Sequence, residues 1–398
     1  MSDGLYLTYC LNAHPGESLV DIQTAIRRFT MPIRKQVSSD TPFPLGLRLS
    51  AEAVDEFQNG KLREAFLGAL YQNNLHAVTL NAFPIGQFHD TRIKENVYLP
   101  DWFNPARMDY TLGAAQALAA CESPAEIRCV STCPLYFKPA IAAVDERAYR
   151  LQCAKHMMMV AVALAKLKEA TGQHIAIAIE PEPGCFPETT DEVIAFFSAL
   201  RDTEFLAHLS EGFGCTGEEL RAILDAHLGL CFDTAHQSVM GEELAHSFML
   251  LTDVHDIPVL KMQLSSAIVC PPGQEARNSL REHFADDVYL HQTMTSQGEF
   301  YLDLPEALQN SPLEDELRVH YHVPIFLDQV GPLKTTNDEI RTLLTQMCSL
   351  DTYPQVLEIE TYTWPAVAET QGLDVVDGIA REFQWVRDAL GDSAALFN

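Results

Sequence analysis

The stretch Ile175–Cys185, IAIAIEPEPGC, constrains the fold more than any other part of the chain. It opens as alternating β-branched and small residues, the pattern of a strand buried on both faces. It then breaks at Glu180 into a Pro-Glu-Pro-Gly turn, and proline, which has no ladder donor, ends the strand there. A carboxylate at the carboxyl end of a buried strand, with a rigid turn behind it, is where barrel enzymes place their chemistry. A salt-bridged glutamate at a strand end would give the same local pattern. What separates the two is whether the arrangement recurs.

It does recur. Short apolar runs alternate with capped helical stretches along the chain. Strands are expected at Leu5–Cys10, Leu45–Leu49, His76–Asn81, Ile127–Thr132, Ile175–Glu180, Leu230–Asp233, Val259–Leu264 and Val356–Thr361. Between them, helices are expected from Ser18, where Asp21 completes a capping box, over Ala51–Tyr71 and Ala106–Ala120, and over Glu146–Ala170 up to Gly172. Further capping boxes fall at Thr189/Glu192, Thr216/Glu219 and Thr336/Glu339, and Val375–Leu390 reads as a terminal amphipathic helix. Eight strand–helix units in series predict an α/β fold, a closed parallel (β/α)8 barrel, because parallel strands need helical crossovers. Residues 1–398 then form a single domain. The segment 265–350 also contains strand-like Tyr289–Thr295 and Arg318–Phe326, so it reads as an insertion between strands seven and eight that forms a lid on the catalytic face.

Composition narrows the function classes. The chain has 55 acidic and 27 basic residues, a formal net charge of −28, which repels phosphate backbones and argues against nucleic acid as a partner. No apolar run is long enough for a membrane span and Met1–Cys10 has no basic segment ahead of an apolar one, so a cytoplasmic protein is expected. The ten cysteines contain no CxxC pair, and several sit in strand-like runs; they read as buried reduced thiols.

On the barrel, polar residues fall at successive strand ends. Strand five offers Glu180, with Glu182 in the turn. Strand six, GLCFDTAH, offers Asp233 and His236. Strand seven, VLKMQLSSA, offers Gln263, and strand eight, VLEIETYTW, offers Glu358 and Glu360 on one face, Glu360 being nearer the carboxyl end. Carboxylates converging on one pocket repel and protonate unless a cation holds them. Oxygen donors with an imidazole suit a divalent ion of the Mn, Mg or Zn kind. Substrate contacts are expected from His14 (with Asn12) after strand one, Asn81 after strand three, and Ser131 or Thr132 after strand four. His291, His89, and His320 with His322 in RVHYHVPIF are further candidates; the last two share a strand face, a spacing that can chelate zinc.

The series IEPEPG, FDTAH, KMQLSS and LEIETYTW resembles the xylose isomerase-like barrel superfamily of sugar isomerases and epimerases, hydroxypyruvate isomerase and endonuclease IV. The resemblance implies metal ligands at Glu180, Asp233, Gln263 and Glu360. More narrowly, YCLNAHPGES, STCPLYF, HYHVPIF and EIETYTW resemble the metabolite traffic family encoded with a prenyltransferase-like enzyme in bacterial ebo clusters. That likeness implies a role in making or moving a secondary metabolite, with pathway enzymes as partners.

The expected activity is metal-dependent isomerisation or epimerisation of a sugar, a polyol or a related metabolite. Glu180 and Glu360 would move the proton, His236 would orient a ligand, and Glu182, His291, His320 and His322 would touch substrate. A zinc phosphoesterase resembling endonuclease IV would instead use His320 and His322 as ligands. A carrier would keep the pocket without turnover.

Overall fold

A computed structural model describes residues 5–38, 42–86, 94–285, 289–347, 353–364 and 372–391. Eight strands form one all-parallel sheet: β1 (Tyr6–Tyr9), β2 (Phe43–Arg48), β3 (Leu75–Asn81), β4 (Ile127–Thr132), β5 (His174–Ile179), β6 (Leu228–Asp233), β7 (Val259–Leu264) and β8 (Val356–Ile359). Their spatial order is β1-β8-β7-β6-β5-β4-β3-β2, so every strand lies beside its neighbours in sequence. The ring closes between β1 and β2 through a single bridge, Cys10 to Gly46. Pro44 has no N–H to offer there, and the Thr8 hydroxyl makes up the deficit: Oγ1 donates to the Pro44 carbonyl at 2.9 Å and accepts from Gly46 N at 3.0 Å. Gly46 cannot carry a side chain, because a Cβ would collide with Glu358 inside the barrel.

The expected barrel is therefore the observed one. Ser18/Asp21 and Thr216/Glu219 form reciprocal capping boxes. At Thr189 only half the box forms, because the Glu192 carboxylate turns to Lys138 and to Glu188 N. The stretch Ala51–Tyr71 is two helices, Ala51–Phe57 and Gly60–Gln72. Asn59 starts the second by accepting from Lys61 N and Leu62 N, a local cap that outcompetes a continuous helix. Helices Thr203–Phe213 and Thr234–Val239 were not expected from the sequence.

Directly after β7, Ser266–Cys270 begins a second, six-stranded sheet with antiparallel pairings. Its long strand is Leu317–Val323, where Val319, Tyr321 and Val323 join a separate apolar cluster with Ile268, Leu280 and Phe284. By the two-residue period the opposite face carries Arg318, His320 and His322. The strand expected at Tyr289–Thr295 is shorter, Thr293–Thr295.

The terminal helix Val375–Leu390 ties the two sheets together. Glu382 is fully buried, and its Oε1 accepts from Thr361 Oγ1 at 2.7 Å, beyond β8, and from Ile325 N at 3.2 Å, beyond the histidine strand. Burial pushes its carboxyl up to about 8. A carboxyl raised on folding stabilises below the ordinary carboxylate range, and that stability is lost as pH climbs towards 8. Between pH 6 and pH 8 this group should cost the native state about 2 kcal/mol. Glu382→Gln is expected to flatten that part of the stability profile in urea titrations. An identical pH slope in the variant would refute the assignment.

Nine of the cysteines lie in the described residues, all unpaired and all buried except half-buried Cys215. Among the described residues no helix is long and apolar enough to cross a membrane.

Candidate metal centre

Six donor side chains gather at the barrel mouth, three from strand ends and three histidines from a helix and the second sheet. Glu180 follows β5, with its N–H donating to the Thr132 carbonyl at 3.0 Å. Asp233 ends β6 and caps the short helix behind it, Oδ1 accepting from Ala235 N and His236 N at 2.8 and 2.9 Å. Glu360 follows β8 and is held by two amides: Oε1 accepts from Asn12 Nδ2 at 2.7 Å and from Asn81 Nδ2 at 3.0 Å. His236 comes from the helix after β6, and His320 and His322 come from the second sheet. In each of three overlapping trios, His236/His320/His322, Glu180/Asp233/His236 and Asp233/His322/Glu360, one ligand atom per residue lies within 4.8 Å of the other two.

Hydrogen bonds fix which imidazole nitrogens remain for a metal. His236 Nδ1 lies 3.0 Å from the Pro181 carbonyl, and His322 Nδ1 lies 3.0 Å from the Glu360 carbonyl. A carbonyl only accepts, so both Nδ1 atoms carry the proton. His320 Nδ1 donates to Gln292 Oε1 at 2.7 Å. In the neutral rings, every Nε2 is therefore a lone pair. Those of His320 and His322 face each other at 3.0 Å, an arrangement that a shared cation would satisfy. A shared proton is disfavoured. Burial lowers His236 to about 3 and His322 to about 4, and burial with the neighbouring imidazoles lowers His320 too.

The carboxylates show the complementary strain. Burial, then mutual repulsion, raises Glu180 and Glu360, and burial raises Asp233. Glu180 Oε2 and Asp233 Oδ2 are buried without a hydrogen-bond partner. Orphaned anionic oxygens beside unprotonated imidazoles fit a divalent cation, and this nitrogen content suits the zinc class better than magnesium.

Gln263 is set apart from this group. It lies in register with Glu358 on one side and Asp233 on the other, and its Oε1 accepts from Cys231 Sγ at 2.9 Å. Glu358 turns inward to Lys261, 2.6 Å away. Glu182 reaches the opening, where Oε1 accepts from Tyr98 OH at 2.5 Å, Oε2 is orphaned, and burial raises the carboxyl to about 8. Asn81 also lines it, as do Asn12, His236, His320 and His322. His14 packs elsewhere, stacked on Phe29 at 4.0 Å and 3.3 Å from the Tyr9 hydroxyl. His291 stacks on Tyr321 and its Nδ1 meets the His320 carbonyl, so it braces the histidine strand from outside the opening. Ser131 accepts from Lys261 inside the barrel, and His89 lies outside the described residues.

Sequence reasoning missed the walls: Phe83, Lys94, Val97, Tyr289, Leu290 and Tyr362. Tyr362 was findable, since the two-residue period that pairs Glu358 with Glu360 continues to it. The connection after β3 also supplies Tyr98 to the wall, whereas Trp102 further along it is core.

No family model matches this chain, and no curated protein does. Solved structures do. A xylose isomerase-like TIM barrel protein from Mycobacterium smegmatis in complex with magnesium is 12% identical, with a TM-score of 0.50 over 100% of this chain and 99% of that one. A D-tagatose 3-epimerase-like protein is 12% identical (TM-score 0.46, covering 97% and 100%). An AP endonuclease, family 2, from Brucella melitensis is 14% identical (TM-score 0.38, covering 66% and 79%). At such identities the likeness is one of fold: this chain has the TIM-barrel fold, like the Mycobacterium smegmatis protein.

Proposed function

We propose that the protein is a metal-dependent isomerase or epimerase acting on a small polyhydroxylated compound. The observation that carries this reading is the orphaned Glu180 oxygen beside the imidazole and carboxylate donors at the barrel mouth. His236, His320, His322, Asp233 and Glu360 would hold the cation, in place of the Gln263 set. Bound there, a divalent ion supplies Lewis acidity towards neighbouring hydroxyl and carbonyl oxygens. Glu180, raised by burial, accepts the carbon-bound proton and returns it. Asn12 and Asn81 fix Glu360, which serves as the second carboxyl of the pair. Glu182 and Tyr98 line the approach to substrate hydroxyls, and the tyrosine walls exclude water. A link to secondary metabolism, with pathway enzymes as partners and a cytoplasmic site of action, belongs to the same proposal.

Glu180, Glu182 and Glu360 line the opening, and among the described residues its one lysine or arginine, Lys94, is paired with Asp303 at 2.7 Å. That favours an uncharged substrate over a phosphate ester. The three-imidazole set is nonetheless an observation that favours a zinc phosphoesterase, the second reading.

One experiment separates them. Protein loaded with zinc or manganese is incubated with a panel of ketoses and hydroxy-ketones in D2O and followed by proton NMR. Deuterium exchange at the carbon next to a carbonyl, lost in Glu180→Gln, is the expected result. Absence of exchange across the panel, with hydrolysis of bis-p-nitrophenyl phosphate, would transfer the assignment to the hydrolase. Neither activity, with a metal-independent ligand, would make it a carrier.

A further inference from the structure

Gln292 has no role in the activity outlined above, yet it is fully buried and contacts three separate elements around the centre. Its Nε2 donates to the Pro183 carbonyl at 2.9 Å, in the turn after β5, and to the Tyr98 hydroxyl at 2.9 Å. A carbonyl cannot donate, so the amide has one possible orientation, with Oε1 facing His320. That oxygen accepts from His320 Nδ1 at 2.7 Å, and the Gln292 carbonyl accepts from His320 N at 2.8 Å. Tyr98 in turn donates to Glu182. The chain Glu182–Tyr98–Gln292–His320 thus runs from the substrate wall to the imidazoles.

We infer that Gln292 is a positioning residue that locks His320 in the Nδ1–H tautomer and aims its Nε2 lone pair at the cation shared with His322. This inference rests on the reading that His320 is a metal ligand. A flipped amide would present an NH2 group to Nδ1, force the proton to Nε2, and remove the lone pair from the 3.0 Å contact with His322. The two hydrogen bonds to Pro183 and Tyr98 oppose that flip. The barrel's own Pro-Glu-Pro-Gly turn therefore sets the chemistry of a histidine in the second sheet.

The test compares zinc affinity, by competition with a chromophoric chelator, and the visible spectrum of the cobalt-loaded protein, for the unaltered chain, Gln292→Met and Gln292→Glu. Methionine fills the space without an acceptor. It should weaken zinc binding by about 10- to 100-fold and shift the cobalt bands. Glutamate keeps an acceptor for Nδ1–H and should bind zinc within about threefold of the unaltered chain or more tightly. Zinc affinity and cobalt spectrum unchanged in Gln292→Met, whatever its melting temperature, would overturn the inference. So would a loss in Gln292→Glu as large as in Gln292→Met, and the glutamate result alone decides if the methionine variant does not fold. Failure of the underlying reading looks different: the unaltered chain would bind no zinc, or His320→Ala would bind it as well as the unaltered chain.

Discussion

The double variant His320→Ala/His322→Ala is expected to bind zinc at least about a hundredfold more weakly than the unaltered chain, since losing ligands costs more than losing their hydrogen-bond partners. The sequence alone suggested the reverse, that these histidines touch substrate while Glu180, Asp233, Gln263 and Glu360 hold the ion. The two arrangements predict different stoichiometries on dialysis against zinc. If the imidazoles hold the cation, the double variant should retain well under one equivalent, and its melting temperature should stop responding to zinc. If zinc stays near one equivalent with unchanged affinity, the carboxylates alone suffice. Burial lowers His236 and His322 and raises Glu180, Asp233 and Glu360, so the two proteins are compared at one fixed pH. Folding is checked separately, since both side chains face the opening and the strand's core face is Val319, Tyr321 and Val323.

The barrel was legible because its signals are local and repeated. Eight apolar runs ending in a polar residue, separated by capped helices, leave few topologies. The placement of Glu180, Asp233 and Glu360 at strand ends was legible for the same reason, since the period of two and the end of a strand fix where each side chain points. What the sequence concealed is long-range. Gln263 and Glu360 look equivalent in a list of strand-end polar residues. Register does not separate them, since Gln263 is level with Glu358 on one side and with Asp233 on the other; the side-chain contacts do, with Gln263 Oε1 accepting from Cys231 Sγ while Asn12 and Asn81 hold Glu360. Ser266–Cys270 was hidden because it follows β7 with only Ser265 between, so two strands of different sheets read as one run. Thr234 makes the break by donating to the carbonyls of Gln263 and Ser265 and accepting from Ser265 N. Gln292 could not have been singled out, since its partners come from positions 98, 183 and 320.

Replacing Lys261 by Met is expected to cost about 3–5 kcal/mol, the scale for removing one partner of a buried ion pair. Lys261 and Glu358 lie wholly inside the barrel, 2.6 Å apart, and Nζ also donates to Ser131 Oγ at 2.8 Å. Burial by itself would discharge both groups. The Glu358 carboxylate at contact distance holds the ammonium charged, while burial raises Glu358 itself and leaves its Oε1 without a partner. Gly46 belongs to the same arrangement, since its missing side chain leaves the space that Glu358 occupies. Lys261→Met strands the carboxylate, and Glu358→Gln strands the ammonium. The double variant Lys261→Met/Glu358→Gln removes both charges and should lose less stability than the sum of the two single losses, by at least about 2 kcal/mol. Chemical denaturation of the four proteins measures this coupling. The same variants test the division between the two glutamates of β8 and its exit: zinc stoichiometry should survive in Glu358→Gln and fall in Glu360→Gln. Additive stability losses, or zinc lost equally from both glutamate variants, would mean that the charge inside the barrel belongs to the metal centre and not to the scaffold beneath it.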